Sequence, residues 1–466
     1  MSEQSGSSQG QQERTELPVE RGFPIERVNE IAEKEGRAKM YYRPIYTMHK
    51  WWARRLGCVF RAISLYTLLD DPEKVSVFEP GHEDETLAGW GDDNGDQIDI
   101  ASLMERVDMS DPESLWELYP KDVRVEDKKV LDPFMGGGTS LVEASRFGAE
   151  VVGNDLNPVA WFVTKKELEA GQTDVEELEE AFEQVKEDVA DEITQYYKTP
   201  CPNDDHEADV MYNFWVKELD CVSCGHTVPL FKDYRIARGR YENDDKYNVL
   251  CPDCGSVTLV DDWQSESACD DCGHGFTPKE ANVSRGGKYN CPECGQKYAI
   301  TDAIQEQGGY DLRLYAVEYY CDHCKEAGKE KSVHKGYKQV VDADVSLFEQ
   351  AKNEWEQSET LHQYKPSEKI PPGHMTSERN PVFDHGYSEW TDMFNERQLL
   401  SFSKILKSID DLDNQNIAEY LLLAFSDSLR TNTMMVSYDM GYNKIGDFFR
   451  TNSFDPPMYP TENNVW

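Results

Sequence analysis

The chain has 466 residues, enough for two to four domains with cores of their own. Its 89 acidic residues outnumber 48 basic ones, and the net charge of −41 argues against a general affinity for nucleic acid and suggests a halophilic, salt-adapted surface. We expect a cytoplasmic protein without a membrane span, because no signal peptide opens the chain and no apolar run approaches about 18 residues.

A polar tail and a helix open the chain. Residues 1–18 are rich in Ser and Gln and lack apolar periodicity, so we expect a disordered tail. Residues 23–38 carry apolar side chains at helical spacing and predict an amphipathic helix.

Residues 37–69 contain no acid, although the average acid content of the chain would give about six in this length. Tyrosines and tryptophans alternate there with basic residues, a mixture typical of contacts to phosphates and bases. The candidate nucleic-acid contacts are Arg43, Arg54 and Arg55. The alternative is a helix with a buried aromatic face whose arginines pair with acids elsewhere, and the two interpretations can coexist.

The acidic segment 71–127 then predicts a solvated insertion, because its acids lack the spacing of a calcium loop.

The run VLDPFMGGGT at residues 130–139 reads as an apolar strand, an acid, a glycine turn and the start of a helix. A second strand is expected at residues 150–153, and Asp155 just beyond it could accept hydrogen bonds from both ribose hydroxyls of an adenosine. A phosphate loop would need a lysine after the last glycine, and a dinucleotide turn would need a glycine where Leu141 stands. S-adenosylmethionine, a nucleoside without phosphates, fits this pattern; the alternative is a glycine turn in another kind of α/β domain.

The segment DPFMGGGT resembles the cofactor motif of amino-methylating DNA methyltransferases, which reads DPFxGxGT. With the upstream stretch YRPIYTMHKWWARRLGCVFRAISLYTLL, the chain resembles the zinc-ribbon-containing adenine-specific DNA methylase family. The resemblance implies a Rossmann-like α/β S-adenosylmethionine-dependent methyltransferase domain, interrupted by a cysteine-rich zinc-ribbon insertion and followed by helices. The cofactor-binding residues that it implies are Asp132, Pro133, Phe134, Gly136, Gly138, Thr139, Asp155 and Asn157, with His49, Lys50 and Trp52 near the methionine end.

Ten of the twelve cysteines form five Cys-x-x-Cys knuckles, and two knuckles make one tetrahedral zinc site. The knuckles are Cys221/Cys224, Cys251/Cys254, Cys269/Cys272, Cys291/Cys294 and Cys321/Cys324. Two arrangements remain open. In the nested one, the second knuckle joins the third and the first joins the fourth; in the other, the first joins the second and the third joins the fourth. The fifth knuckle is left over in both and could recruit Cys201 with His206, or His323 or His334, as a third site. We expect structural zinc in a module that contacts nucleic acid or a partner.

Residues 346–380 are polar and predict a linker, and residues 390–409 and 416–435 predict two amphipathic helices. Amino-methylation of a base uses a loop of the form (Asp/Asn/Ser)-Pro-Pro-(Tyr/Phe). The candidate catalytic residues are Asp455, Pro456 and Pro457, but Met458 stands where the aromatic ring should be. We therefore expect the family's catalytic strand to lie beyond residue 466, which makes a second polypeptide carrying that segment a possible partner.

These observations predict five segments: a tail (1–18), a cofactor-binding domain (19–200), a zinc module (201–345), a linker (346–380) and a helical segment returning to the cofactor domain (381–466). The resemblance implies a DNA amino-methyltransferase, with adenine N6 preferred over cytosine N4. The alternative is a catalytically silent, zinc-dependent subunit that binds nucleic acid or a partner.

Overall fold

The structure, a computed structural model, describes residues 18–37, 44–70, 75–76, 97–117, 123–125, 127–379, 381–448 and 454–466. Most of the predicted tail, most of the acidic insertion and Arg43 lie outside the described residues. The chain divides into two compact units, Met1–Asp174 and Val175–Trp466, called unit 1 and unit 2 below. None of the described helices is both long and apolar enough to cross a membrane.

Unit 1 is built from helices and two short pairs of strands. Its α-helices are α1 (Pro18–Gly22), α2 (Ile25–Arg37), α3 (Gly57–Leu68), α4 (Ile100–Glu105), α5 (Pro112–Glu117), α6 (Thr139–Arg146) and α7 (Pro158–Glu169), with 3-10 turns at Pro44–Thr47 and Ala170–Gln172. Its strands are β1 (Val75–Ser76), β2 (Gln97–Ile98), β3 (Lys129–Asp132) and β4 (Glu150–Gly153). The helix predicted at residues 23–38 is confirmed by α2, whose Val28 and Ile31 pack in one core with Leu65 of α3 and Phe147.

The β3–α6–β4 segment is a parallel βαβ unit, in which Lys129 pairs with Glu150 and Asp132 with Gly153. This unit and the mixed helix and strand content agree with the predicted α/β class. Among the described residues β3 and β4 pair only with each other, and Leu131 and Val152 are 67% and 51% exposed. Parallel sheets are normally covered on both faces, whereas these two side chains are exposed in this structure.

Unit 2 contains one large antiparallel sheet and several small ones. Its strands are β5 (Lys198–Pro200), β6 (Glu207–Asp220), β7 (Thr227–Pro229), β8 (Arg235–Arg238), β9 (Tyr247–Leu250), β10 (Val257–Val260), β11 (Ser267–Ala268), β12 (Gly275–Phe276), β13 (Val283–Ser284), β14 (Lys288–Asn290), β15 (Lys297–Ala299), β16 (Asp311–Tyr320), β17 (Lys335–Gln339), β18 (Tyr438–Asp439), β19 (Lys444–Ile445) and β20 (Thr461–Asn463). The central sheet has the order β17–β16–β6–β20, and β5 and β7 also pair with β6.

The helices of unit 2 pack with this sheet. They are α8 (Val175–Thr194), α9 (Ile300–Gln307), α10 (Asp322–Glu326), α11 (Lys331–His334), α12 (Asp342–Gln357), α13 (Glu396–Asp410) and α14 (Gln415–Ser428). Shorter turns lie at Gln195–Tyr197, Tyr241–Asn243, Glu359–Tyr364, His374–Arg379, Val382–His385 and Trp390–Met393. Val189 of α8, Trp355 of α12 and Leu400 of α13 share a core with Val317 of the sheet. The two helices predicted near the C-terminus are confirmed by α13 and α14.

The predicted linker at residues 346–380 is wrong at its start, because α12 continues to Gln357. Ala351 and Trp355 of this helix are buried, and their charged neighbours mask the apolar spacing in the sequence. Residues 381–466 belong to unit 2, where β20 pairs with β6, whereas the sequence predicts their return to the cofactor-binding domain.

Candidate functional site

The glycine turn lies where β3 ends and α6 begins. Gly136 and Gly138 have φ angles of +53° and +76°, a region that favours glycine. A Cβ atom at Gly138 would lie 2.6 Å from Oγ1 of Thr164, and one at Gly137 would lie 3.0 Å from Cγ of Trp51. The backbone therefore passes through a space that only glycine fits, and the free amides at the start of α6 can approach a ligand closely.

Two carboxylates hold the turn. Asp155 accepts hydrogen bonds of 2.9 Å from the backbone amides of Asn157 and Gly136, which keep the pKa of Asp155 below its ordinary value. Asp132 accepts from the backbone amide of Phe134 at 3.0 Å and from the hydroxyl of Ser140. The Asp155 carboxylate is ionised at neutral pH, and each oxygen has a second lone pair with which it could accept a ribose hydroxyl.

The predicted residues upstream of the turn have different environments. His49 is buried, and its Nδ1 donates to the carbonyl of Lys50 at 2.8 Å. The Lys50 side chain is exposed, and Trp52 is half exposed. Trp51, which the sequence analysis did not select, lies against Gly136 and Gly137. In the sequence, Trp51 is marked only by its position beside Trp52 in a basic, aromatic stretch.

Arg54 also contacts the turn. Its side chain is only 8% exposed, and its Nη2 lies 2.8 Å from the buried carboxylate of Glu167. Its Nη1 donates to the carbonyl of Gly137 at 2.5 Å. Burial raises the pKa of Glu167 to about 7, against the opposing effect of Arg54. These two contacts occupy the Arg54 guanidinium and do not favour the predicted phosphate contact, which stays a prediction for Arg54 and for the exposed Arg55.

Arg61 is also a buried arginine that pairs with buried acids. It is fully buried, with Nη2 3.3 Å from Glu35 and Nη1 2.8 Å from Glu143. Glu35 also accepts from the backbone amides of Gly57 and Cys58, which caps α3. This supports the alternative interpretation of the acid-free stretch, in which its arginines pair with acids elsewhere.

Two large apolar side chains next to the acids of the turn are exposed. Phe134 is 82% exposed and Leu156 is 96% exposed, and Trp161 of α7 is 53% exposed.

Eight of the predicted zinc ligands form two groups of four, in each of which the sulfur atoms lie within 4.8 Å of one another. One group is Cys221, Cys224, Cys291 and Cys294, and the other is Cys251, Cys254, Cys269 and Cys272. The shortest Sγ–Sγ distances are 3.6 and 3.7 Å in both groups. A zinc–sulfur bond of about 2.3 Å gives a tetrahedral edge of about 3.8 Å, so both groups fit zinc. The structure thus has the nested arrangement.

Cys321 and Cys324 lie apart from these groups, near Cys201 and His206. Cys58 is buried in the core of unit 1.

The Asp455-Pro456-Pro457 run lies just before β20, and Asp455 is exposed. Phe454 packs against Trp390 and Phe448, and Met458 packs against the apolar core that surrounds Tyr289. Met458 would have to leave this core to contact a base. A catalytic role for this run stays a prediction that these surroundings do not favour.

Comparisons with known proteins match the segment that contains the glycine turn. A family described as D12 class N6 adenine-specific DNA methyltransferase matches residues 113–248, which include the glycine turn and both acids. A family described as a protein of unknown function (DUF1156) matches residues 22–88. The type II methyltransferase M.MvaI of Kocuria varians is 51% identical over 45 residues, which are 10% of this chain and 10% of that protein. No solved structure matches the chain. These findings support a DNA-methyltransferase-like enzyme at the level of the family, while only the cysteine groups support the zinc ribbons.

Proposed function

We propose that the chain is an S-adenosylmethionine-dependent DNA amino-methyltransferase that prefers adenine N6 over cytosine N4. The observation that carries the proposal is the glycine turn between two acids, Asp132 and Asp155, inside the segment that matches the adenine-specific family. The preference for adenine rests on that match alone.

The residues of the turn suit this cofactor. Asp155 would accept the ribose hydroxyls, and the amides at the N-terminus of α6 would face the methionine carboxylate. When bound, S-adenosylmethionine supplies an electrophilic methyl group. The remaining residues proposed to hold it are Asp132, Pro133, Phe134, Gly136, Gly138, Thr139 and Asn157, with His49, Lys50 and Trp52 near its methionine end.

We further propose that a second polypeptide supplies the segment that holds the target amine. The exposed side chains of Leu131 and Val152 support this, because a parallel sheet that forms part of a working domain is covered on both faces. The Asp455-Pro456-Pro457 run is the competing candidate within this chain.

Zn²⁺ is proposed for the two four-cysteine groups, where it would be structural, because four thiolates leave no open coordination position. Each ion would contribute on the order of 10 kcal/mol to the folding of a module whose cores are small. DNA is the proposed substrate, and exposed Arg55 remains a candidate phosphate contact.

A methyl-transfer assay tests the proposal. Zinc-loaded chain, with methyl-labelled S-adenosylmethionine and unmethylated duplex DNA, is assayed alone and with the polypeptide encoded by the neighbouring reading frame. We expect label in N6-methyladenine only when both polypeptides are present, and none with the Asp155→Ala variant.

Three results would contradict parts of this proposal. Label transferred by the chain alone would remove the need for a second polypeptide. Label on cytosine N4 would reverse the preference for adenine. Cofactor binding without transfer in either arm would favour the silent subunit that binds nucleic acid or a partner.

A further inference from the structure

The fifth cysteine knuckle lies at one end of the central sheet of unit 2. Cys201 follows β5, His206 precedes β6, and Cys321 follows β16. Because Pro200 pairs with Glu207, and Asp209 pairs with Tyr320, the ladder brings these three chain segments to the same end of the sheet.

Four ligand atoms meet there. Nε2 of His206 lies 3.0 Å from Sγ of Cys321 and 3.7 Å from Sγ of Cys324, and Sγ of Cys201 lies 3.7 Å from Sγ of Cys324. All four atoms lie within 4.8 Å of one another. A tetrahedral zinc ion with sulfur at about 2.3 Å and nitrogen at about 2.0 Å would give edges of about 3.8 and about 3.5 Å. A disulfide needs about 2.05 Å, so Cys201 and Cys324 are separate thiols.

The loop from Cys201 to His206 shares one backbone hydrogen bond with the knuckles of the ribbons, although it lacks the second cysteine. In both ribbons, the backbone amide of the first cysteine of a knuckle donates a hydrogen bond to the carbonyl five residues later. Cys221 donates to His226 at 2.8 Å, and Cys251 donates to Ser256 at 2.9 Å. Cys201 donates to the carbonyl of His206 at 2.8 Å in the same way. Asp204 stands where the second cysteine would be, and the imidazole two residues later takes its place.

The Cys321 loop also has knuckle geometry. The amide of Cys324 points at Sγ of Cys321 at 3.4 Å, and the amide of Lys325 donates to the carbonyl of Cys321 at 3.2 Å. Hydrogen bonds of this kind to a ligand atom hold it in the orientation that a metal ion needs.

Burial explains why a metal is needed. The side chains of Cys321 and Cys324 are fully buried and Cys201 is 7% exposed, so three thiols share one enclosed space. Thiols form only weak hydrogen bonds with one another, whereas a bound cation satisfies all three sulfurs and the imidazole.

We propose that Cys201, His206, Cys321 and Cys324 form a third zinc site, of the Cys3His type, that fastens the β5–β6 hairpin to the end of β16. All four ligands lie in segments next to β5, β6 and β16 of the central sheet. It does not depend on the proposed methyltransferase activity.

His323 provides a matched control. It is exposed on α10, and its ring lies 4.9 Å from the ring of His206, but it is not one of the four converging ligands. A variant at this position changes a neighbouring histidine without changing the proposed ligand set.

Zinc counting on the full-length chain, purified under reducing conditions, tests the site. We expect three zinc ions per chain for the unmodified protein and for His323→Ala, and two for His206→Ala. The His206→Cys variant should keep all three, and after cobalt substitution its absorption spectrum should gain the bands of a third all-thiolate site.

Two zinc ions in the unmodified protein, three in His206→Ala, or two in His323→Ala would each overturn the assignment. Affinity for S-adenosylmethionine is measured on the same samples. A failed zinc count can then be distinguished from a failure of the proposed function.

Discussion

At the scale of single residues, the acid-free stretch is explained largely by buried arginines. Arg54 and Arg61 pair with acids that lie far away in the sequence, in α7, α2 and α6. The sequence predicts that something unusual occurs at residues 37–69 but cannot identify these partners. Arg61 has two buried acid partners, whereas Arg54 and Glu167 form a single buried pair, in which removing one charge leaves the other without its partner.

The Arg54→Ala variant should destabilise the protein by roughly 3 kcal/mol at about pH 8, because it leaves the Glu167 carboxylate buried without a cation. The double variant Arg54→Met with Glu167→Met should recover much of this loss, because no charge remains buried. Urea unfolding measures both values. Arg55→Ala, at an exposed position, is the control, and an Arg54→Ala variant as stable as this control would contradict the structural role.

Lys217 of β6 is also buried, and it forms no ion pair among the described residues. Its Nζ lies 4.1 Å from the ring centre of Tyr310 and 5.3 Å from that of Tyr387, and His385 lies near enough to repel it. Burial lowers the pKa of Lys217 to about 7. The unfolded chain, in which a lysine has a pKa of about 10.4, therefore binds more protons than the folded chain between these values.

Stability should therefore rise by on the order of 2 kcal/mol between about pH 7 and about pH 9, because folding releases the proton of Lys217 and this release costs less free energy as the pH rises. Urea unfolding at both pH values measures the change. Lys217→Met should reduce the pH dependence. An equal rise in that variant would assign the effect to other groups.

At the scale of elements, local patterns predict those structures whose cause is local. The βαβ unit and helix α8 follow from periodicity within one segment, and the glycine turn follows from residues 132–139. Two other features depend on contacts between residues that are far apart in the sequence. They are the choice between the two zinc arrangements and the position of Trp51 against the turn. Helix α12 was missed because only two apolar residues, Ala351 and Trp355, are buried on it.

Strand β20 was also missed, since it has only three residues and its sequence, Thr-Glu-Asn, is polar. Side chains hold it in place. The carboxylate of Glu462 accepts two bonds of 2.7 Å from Arg397, one of 3.0 Å from Trp215 and one of 3.1 Å from Tyr197. A buried network that satisfies every lone pair of a carboxylate can fix a strand that has little intrinsic preference for the sheet.

Glu462→Ala should destabilise the protein by about 3 to 5 kcal/mol, because Arg397 would remain buried without an anion. Thermal and urea unfolding measure the loss. Glu280→Ala, which removes an exposed acid from the same unit, should change stability by less than about 0.5 kcal/mol. Equal effects of the two variants would contradict the role of the network.

At the scale of the whole molecule, the net charge of −41 is the dominant property. Like charges at this density repel one another in the folded chain. Salt screens these charges and so lowers the free energy of their repulsion. The sequence alone predicts this behaviour, whereas the division into two units could not be located from composition.

The midpoint of urea unfolding should rise when potassium chloride is increased from about 0.1 M to about 1 M, as the screening length falls from about 10 Å to about 3 Å. Circular dichroism in zinc-containing buffer measures it. An unchanged or falling midpoint would contradict the prediction of a salt-adapted protein.

The central claim is that the glycine turn between Asp132 and Asp155 binds S-adenosylmethionine. Calorimetric titration of the zinc-loaded, folded chain in high salt tests it most directly. Glu150→Ala, on the exposed side of β4, serves as the matched control. We predict saturable binding by the unmodified chain and the control, with affinity at least about tenfold weaker in Asp155→Ala, which loses hydrogen bonds between the carboxylate and the ribose. No heat of binding in the unmodified chain, or equal affinity in Asp155→Ala, would contradict the claim.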